Sequence, residues 1–250
     1  MTSVGPIHNE QGERIAFDFT AASEQAIGKA PLVVIGHGLT SDKDRPWSRA
    51  LSDALAAEGV ASIRIAFSGN GESEGRFEDS TITKEVGDLR AVMKQLQSDL
   101  PYAPIAYIGQ SMGGAVGLLH AVRSDDLRAL VSLAPLTHTA EFAERMFGNL
   151  EYGDVMLEKP HCRWNPALAE DLRRIESVLS AAAQVAVPWR IVHGTADDVT
   201  PIDFSRELVT AAPPGTDLVE LEGVDHSFSG VGIEQLVEAV VPWLVPRLQE

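Results

Sequence analysis

The chain has 250 residues, 44% of them hydrophobic, with 36 acidic against 20 basic residues and a formal charge of −16. That apolar share is enough for a sizeable core and excludes a disordered chain. The negative balance repels phosphate backbones and anionic headgroups, so neither nucleic acid nor a membrane is expected as a partner.

Short apolar runs alternate with amphipathic segments along the chain. "HNEQGE" (8–13) reads as a turn and makes the N-terminal part a hairpin. The runs "RIAFDF" (14–19), "PLVVIGH" (31–37), "ASIRIAF" (61–67), "APIAYIG" (103–109), "LRALVSLAP" (127–135), "PWRIVHG" (188–194) and "DLVELEG" (217–223) read as strands. Several are apolar almost throughout, as strands covered on both faces should be. Helical spacing marks 46–59, 83–97, 168–182 and 232–248, the last less cleanly because of its prolines. This alternation predicts one α/β domain over 1–250, with a mostly parallel sheet between helices. Residues 136–165 break the rhythm and are expected to form a small cap over the carboxyl ends of the strands, where such folds bind ligands. The one cysteine, Cys162, rules out an intrachain disulfide. No basic-then-apolar leader and no bilayer-length apolar stretch is visible, so a cytoplasmic protein is expected.

"GQSMG" (109–113) fits G-x-S-x-G between a strand-like and a helix-like segment. A sharp strand-to-helix turn there exposes Ser111 above the sheet and aims the first helical N–H groups at the same spot. A serine needs a base, and the base needs an acid to orient it. Of the histidines after the serine, His226 follows the last strand, where it can reach back over the sheet. His193 falls inside a strand, and His138 and His161 fall in the excursion. The acid belongs in "TADDVTP", where Asp197 and Asp198 both qualify on distance and one of the two can cap the turn instead. Asp225 adjoins His226 and cannot easily fold back onto its ring. Backbone N–H groups of Met112 and Leu39 are the candidate oxyanion donors.

Taken in order, "HGLTSDKD", "SGNGESEGRFEDSTITKEVGDL", "GQSMGG", "HGTADDVTP" and "GVDHSF" resemble the α/β-hydrolase superfamily nearly end to end. The chain is most similar to compact bacterial serine esterases of the cinnamoyl (feruloyl) type, to serine-aminopeptidase-like hydrolases and to monoacylglycerol lipases. The resemblance implies an α/β-hydrolase fold with Ser111 as nucleophile, His226 as base, Asp197 as acid and Leu39 and Met112 as oxyanion donors. Two positions depart from the pattern. Ala66 and Ser68 stand where many relatives carry Asp and Arg, and Gln110 replaces a common histidine. Gln110 is given no chemical role.

The expected activity is hydrolysis of small to medium acyl or aromatic (hydroxycinnamoyl-like) esters, with no cofactor and no metal. Thioester, amide and monoacylglycerol hydrolysis use the same constellation, and a non-catalytic binding protein on this fold is the rival from another class. Phe142, Met146, Phe147, Tyr152 and Trp164 in the excursion are candidate pocket residues, against the plainer reading that they fasten it to the body. A homodimer is left open.

Overall fold

In the computed structural model, which describes residues 4–22, 30–101 and 103–249, the chain opens on an antiparallel hairpin of β1 (Ile7–His8) and β2 (Arg14–Ile15). The expected turn closes it. Next come β3 (Phe17–Thr20), β4 (Leu32–Gly36), α1 (Pro46–Ala57), β5 (Ala61–Ile65), α2 (Ile82–Asp99), β6 (Ile105–Gln110), α3 (Met112–Ala121) and β7 (Ala129–Leu133). The excursion holds α4 (Thr139–Phe147), β8 (Val155–Met156) and β9 (Lys159–Arg163). After it run α5 (Pro166–Ile175), α6 (Leu179–Ala182), β10 (Trp189–Gly194), α7 (Ile202–Ala211), β11 (Asp217–Leu221) and α8 (Gly232–Gln249).

Seven strands form one sheet in the order β11-β10-β7-β6-β4-β5-β3, parallel except for β3 at one edge. Every residue of β4, β5, β6 and β7 is buried. Side chains alternate across a strand, so an all-apolar run feeds two cores. Val33 and Ile35 face the core under α1 and α8, with Trp47, Leu51 and Leu244. Leu32 and Val34 face the other core, with Leu89 of α2 and Val116 of α3. Pro242 and Pro246 lie four residues apart on the exposed side of α8, which leaves its packed face whole.

One helix differs from its sequence pattern. The segment 168–182 is not continuous, because α5 stops before Glu176, which has φ 63°. Tertiary hydrogen bonds take over the backbone there. Ala140 N–H donates to Glu176 O at 3.0 Å, and Val178 N–H to Thr137 O at 2.9 Å. The break lets the foot of the excursion pair with it. Among the described residues, no helix is long and apolar enough to cross a membrane.

The carboxyl ends of β4, β6, β7, β10 and β11 lie at the same edge of the sheet. Their loops carry residues 37–45, Ser111, the excursion, 195–201 and 222–231 respectively. A parallel sheet therefore brings together segments far apart in sequence.

Candidate active site

Ser111 follows the last residue of β6 and precedes α3, with φ 53° and ψ −117°. For a residue with a Cβ this backbone is strained, at a cost of about 1–3 kcal/mol. Hydrogen bonds from both sides hold it. Ser111 N–H donates to Leu133 O at 2.8 Å, and Ser111 O accepts from Leu136 N–H at 3.0 Å. A Cβ on Gly109 would lie 2.2 Å from Gly113 O, so only glycine lets the helix turn back this tightly over the strand.

The loop after β4 rests on this serine. A Cβ on Gly38 would meet Ser111 Cβ at 2.9 Å and Gln110 Oε1 at 2.6 Å. His37 Nδ1–H donates to Gly38 O at 2.8 Å, and its Nε2 accepts from Phe67 N–H at 3.0 Å. With Gly38 O turned to His37, the planar trans peptide sends Leu39 N–H the opposite way. Among the described residues the Leu39 N–H has no hydrogen-bond partner. Met112 is the first residue of α3, so its N–H precedes any helical acceptor. Burial lowers the His37 pKa to about 4, so the ring is neutral. Further along, Lys43 meets Asp18, Asp44 and Glu72, each at 3.0 Å, and Arg64 donates to Lys43 O at 2.9 Å.

His226 and Asp197 meet directly, Nδ1 to Oδ2, at 2.7 Å. The Asp197 side chain is fully buried and takes up nearly all its lone pairs. Oδ1 accepts from Val199 and Thr200 N–H, each at 2.8 Å. Oδ2 also faces Thr200 Oγ1 at 3.0 Å and His193 Nε2 at 3.1 Å. The sequence reading divided capping and orienting between two aspartates. The single carboxylate of Asp197 does both, while Asp198 is exposed. Burial alone would raise the Asp197 pKa. Hydrogen bonds from His193, His226 and the Thr200 N–H outweigh burial and hold the carboxyl well below the usual carboxylate range.

Gln110 closes the arrangement. Its Nε2 donates to His226 O at 3.2 Å and stands 3.1 Å from His226 Nε2. An amide N–H can only donate, so Nε2 of His226 is the acceptor and the ring proton sits on Nδ1, against Asp197. Gln110, Thr200 and His193 are the residues that sequence reasoning left without a role here. The available signal was a polar side chain inside or beside otherwise apolar strand runs.

Ser111, His226 and Gln110 line one cavity of about 240 Å³, with Leu39, Arg45, Trp47, Phe142, Leu157, Lys159 and Val199 among its walls. Of the five excursion side chains expected at the pocket, Phe142 lines it and the other four do not. Phe147 and Trp164 stack on each other at 4.8 Å in the core, Met146 packs against that core, and Tyr152 is exposed. Their apolar surface is spent on fastening α4 to the hairpin. The turn of that hairpin supplies wall residues not anticipated. Leu157 and Glu158 have φ 48° and 59°, a two-residue type I′ pattern that brings Leu157 and Lys159 to the cavity. His138 is engaged by Thr137, Glu207 and Phe204, and Asp225 Oδ1 accepts from Ser229 N–H. A larger groove of about 790 Å³ along α2 and α5 excludes Ser111 and is walled by paired charges such as Lys84–Glu13. Among the described residues, no group of three or more His, Cys, Asp or Glu could hold a metal ion.

The serine aminopeptidase S33 family model matches residues 29–151. Est1E from Butyrivibrio proteoclasticus, in its structure with ferulic acid bound, superposes with a TM-score of 0.85 at 24% identity, covering 98% of this chain and 100% of that one. The chain has the α/β-hydrolase fold. An uncharacterized Mycobacterium tuberculosis protein is 31% identical over 202 residues, which is 80% of this chain and 64% of that protein's length. The human mitochondrial palmitoyl-protein thioesterase ABHD10 is 23% identical over 249 residues, covering 88% of this chain and 75% of that protein.

Proposed function

We propose that this α/β-hydrolase is a serine hydrolase of small to medium carboxylic esters. The observation that carries the reading is a strained serine sharing one cavity with a histidine whose far nitrogen is bound to a buried carboxylate. Ser111 Oγ attacks the acyl carbonyl while His226 Nε2 takes its proton and returns it to the leaving alcohol. Asp197 keeps the ring proton on Nδ1 and stabilises the imidazolium. The N–H groups of Leu39 and Met112 receive the tetrahedral oxyanion. Water, deprotonated by His226, then releases the acid. Before the first step His226 Nε2 has to exchange Gln110 for Ser111, and such bonds commonly tighten only when substrate binds.

The cavity of about 240 Å³ falls below the range of about 300–1,000 Å³ usual for ligand pockets, which favours a short or flat acyl group over a long chain. Phe142 and Leu157 from the 136–165 excursion give it an apolar side, so the excursion acts as a cap that sets acyl preference. The likeness to ABHD10 supports a second reading, thioester hydrolysis by the same residues.

The test is a fluorophosphonate label located by mass spectrometry, with a panel of matched oxoesters and thioesters. The adduct belongs on the Ser111 peptide, and Ser111→Ala should hydrolyse nothing above background while staying folded. Asp197→Asn should lose about 10⁴-fold in kcat through the wrong imidazole tautomer. Asp198→Asn should stay within a few-fold of the parent. Full activity without Ser111, or labelling only elsewhere, removes the reading, and neither label nor turnover in the parent leaves the non-catalytic rival.

A further inference from the structure

The charges around the Ser111 cavity run against those of the whole chain. Acidic residues outnumber basic ones 36 to 20. Yet the titratable side chains lining the cavity are Arg45, Lys159 and His226, with no aspartate or glutamate among its walls. A third cation borders it. Arg145 donates to Val199 O and its guanidinium stands 5.8 Å from the ring centroid of Phe142, both of them wall residues. These three come from separate places: the N-cap of α1, the last turn of α4 and the start of β9.

None of the three forms an ion pair among the described residues, although carboxylates lie close in sequence. Asp44 adjoins Arg45 but is taken by Lys43, Arg49 and Arg64. Glu144 adjoins Arg145 but is taken by Arg173. Glu158 adjoins Lys159 and does not pair with it. Lys43 elsewhere meets three carboxylates. Lys94, Arg123 and Arg128 are also outside any ion pair among the described residues, but the cavity brings its unpaired cations together around Ser111. In a chain with 16 negative charges in excess, three unpaired cations around one small cavity leave a local site for an anion. A guanidinium and an ammonium both suit a carboxylate or phosphate through charge-assisted hydrogen bonds. The surrounding negative surface repels large polyanions, so the anion is a single group on a small molecule.

We propose that the ester this site takes carries an anionic carboxylate or phosphate group, gripped at the cavity mouth by Arg45 and Lys159 with Arg145 beside them. The inference rests on the serine-hydrolase reading above and narrows its substrate class. The anion can sit on the acyl half or on the alcohol half.

Steady-state hydrolysis by the full chain separates these. The probes are 4-nitrophenyl butyrate as the neutral ester, 4-nitrophenyl hemiglutarate with the charge on the acyl half, and 4-butyryloxybenzoate with it on the leaving half. At least one anionic ester should exceed its neutral counterpart by about ten-fold in kcat/KM, after correction for leaving-group reactivity. Arg45→Glu and Lys159→Glu should each cut that ratio about ten-fold or invert it. A measurement on the unmodified protein backs these variants: raising NaCl from 0.05 to 0.5 M should lower the ratio several-fold. Failure of the inference looks different from failure of the reading beneath it. If Ser111 is labelled and neutral esters turn over, but the ratio is one or less and ignores both salt and charge reversal, the anionic site is wrong and the esterase stands. If Ser111 takes no label and no ester turns over, the reading itself has failed.

Discussion

At the scale of single residues, the site depends on how two polar side chains divide one imidazole. Asp197 holds His226 Nδ1 at 2.7 Å and Gln110 stands at Nε2 at 3.1 Å, so both ring nitrogens are occupied before substrate arrives. In the proposed mechanism Gln110 thereby competes with Ser111 for the nitrogen that would accept its proton. A carboxylate in its place would accept a hydrogen bond from a protonated Nε2 and favour the imidazolium. In that mechanism the base works only when neutral, so the acid limb of the kcat/KM profile in Gln110→Glu should move to higher pH. A pH–rate profile against the parent, with thermal unfolding to show that the fold is intact, checks it. If activity falls but the limb stays where it was, Gln110 only props the loop through His226 O.

At the scale of elements, the strands were legible and the tertiary substitutions were not. β4, β6 and β7 read directly from the sequence because both their faces are buried and the runs stay mostly apolar, while β5 buries Ser62 and Arg64 between apolar residues. Helical spacing also runs unbroken through 168–182, yet the helix stops at Glu176. The hydrogen bonds that end it come from residues 137–140, which no local pattern displays. The same limit hid the cavity walls, since Phe142, Phe147 and Trp164 look alike in sequence and only packing separates wall from core. Ser111, His226 and Asp197 were legible because motif and chain order mark them, whereas Gln110 acts through an atom 116 positions away. The loop after β4 offers a second test. His37 ties it to the backbone at Phe67 and is held neutral by burial, with its pKa lowered from 6.5 to about 4. The unfolded chain then binds the extra proton first, so this contribution to stability is whole above pH 6.5 and drains away as pH falls toward 4. It amounts to roughly 3 kcal/mol. Urea unfolding at pH 7, 5.5 and 4.5 should show His37→Gln less stable than the parent at pH 7 and converging on it at pH 4.5. Parallel stability curves for the two proteins would count against this role.

At the scale of the whole molecule, α/β alternation set the fold, and the charge sets its response to solution. Sixteen excess negative charges repel one another across the folded surface and are further apart in the unfolded chain, so self-repulsion opposes folding. Ion pairs such as Arg206–Glu220 at 2.7 Å and Arg206–Asp203 at 2.8 Å pull the other way. Exposed pairs of this kind contribute about 0–1 kcal/mol each. Salt weakens both effects unequally. The screening length falls from about 10 Å at 0.1 M to about 3 Å at 1 M, which removes repulsion between distant carboxylates well before it breaks contacts near 3 Å. The unpaired majority of the acidic residues therefore decides the sign. Raising NaCl from 0.02 to 0.5 M at pH 7 should raise Tm by a few degrees, since about 1 kcal/mol corresponds to about 2–4 °C at this chain length. Thermal unfolding followed by circular dichroism measures it. A fall in Tm over the same range would mean that networks such as Lys43 with Asp18, Asp44 and Glu72 outweigh the net charge, and that the acidic surface costs the fold little.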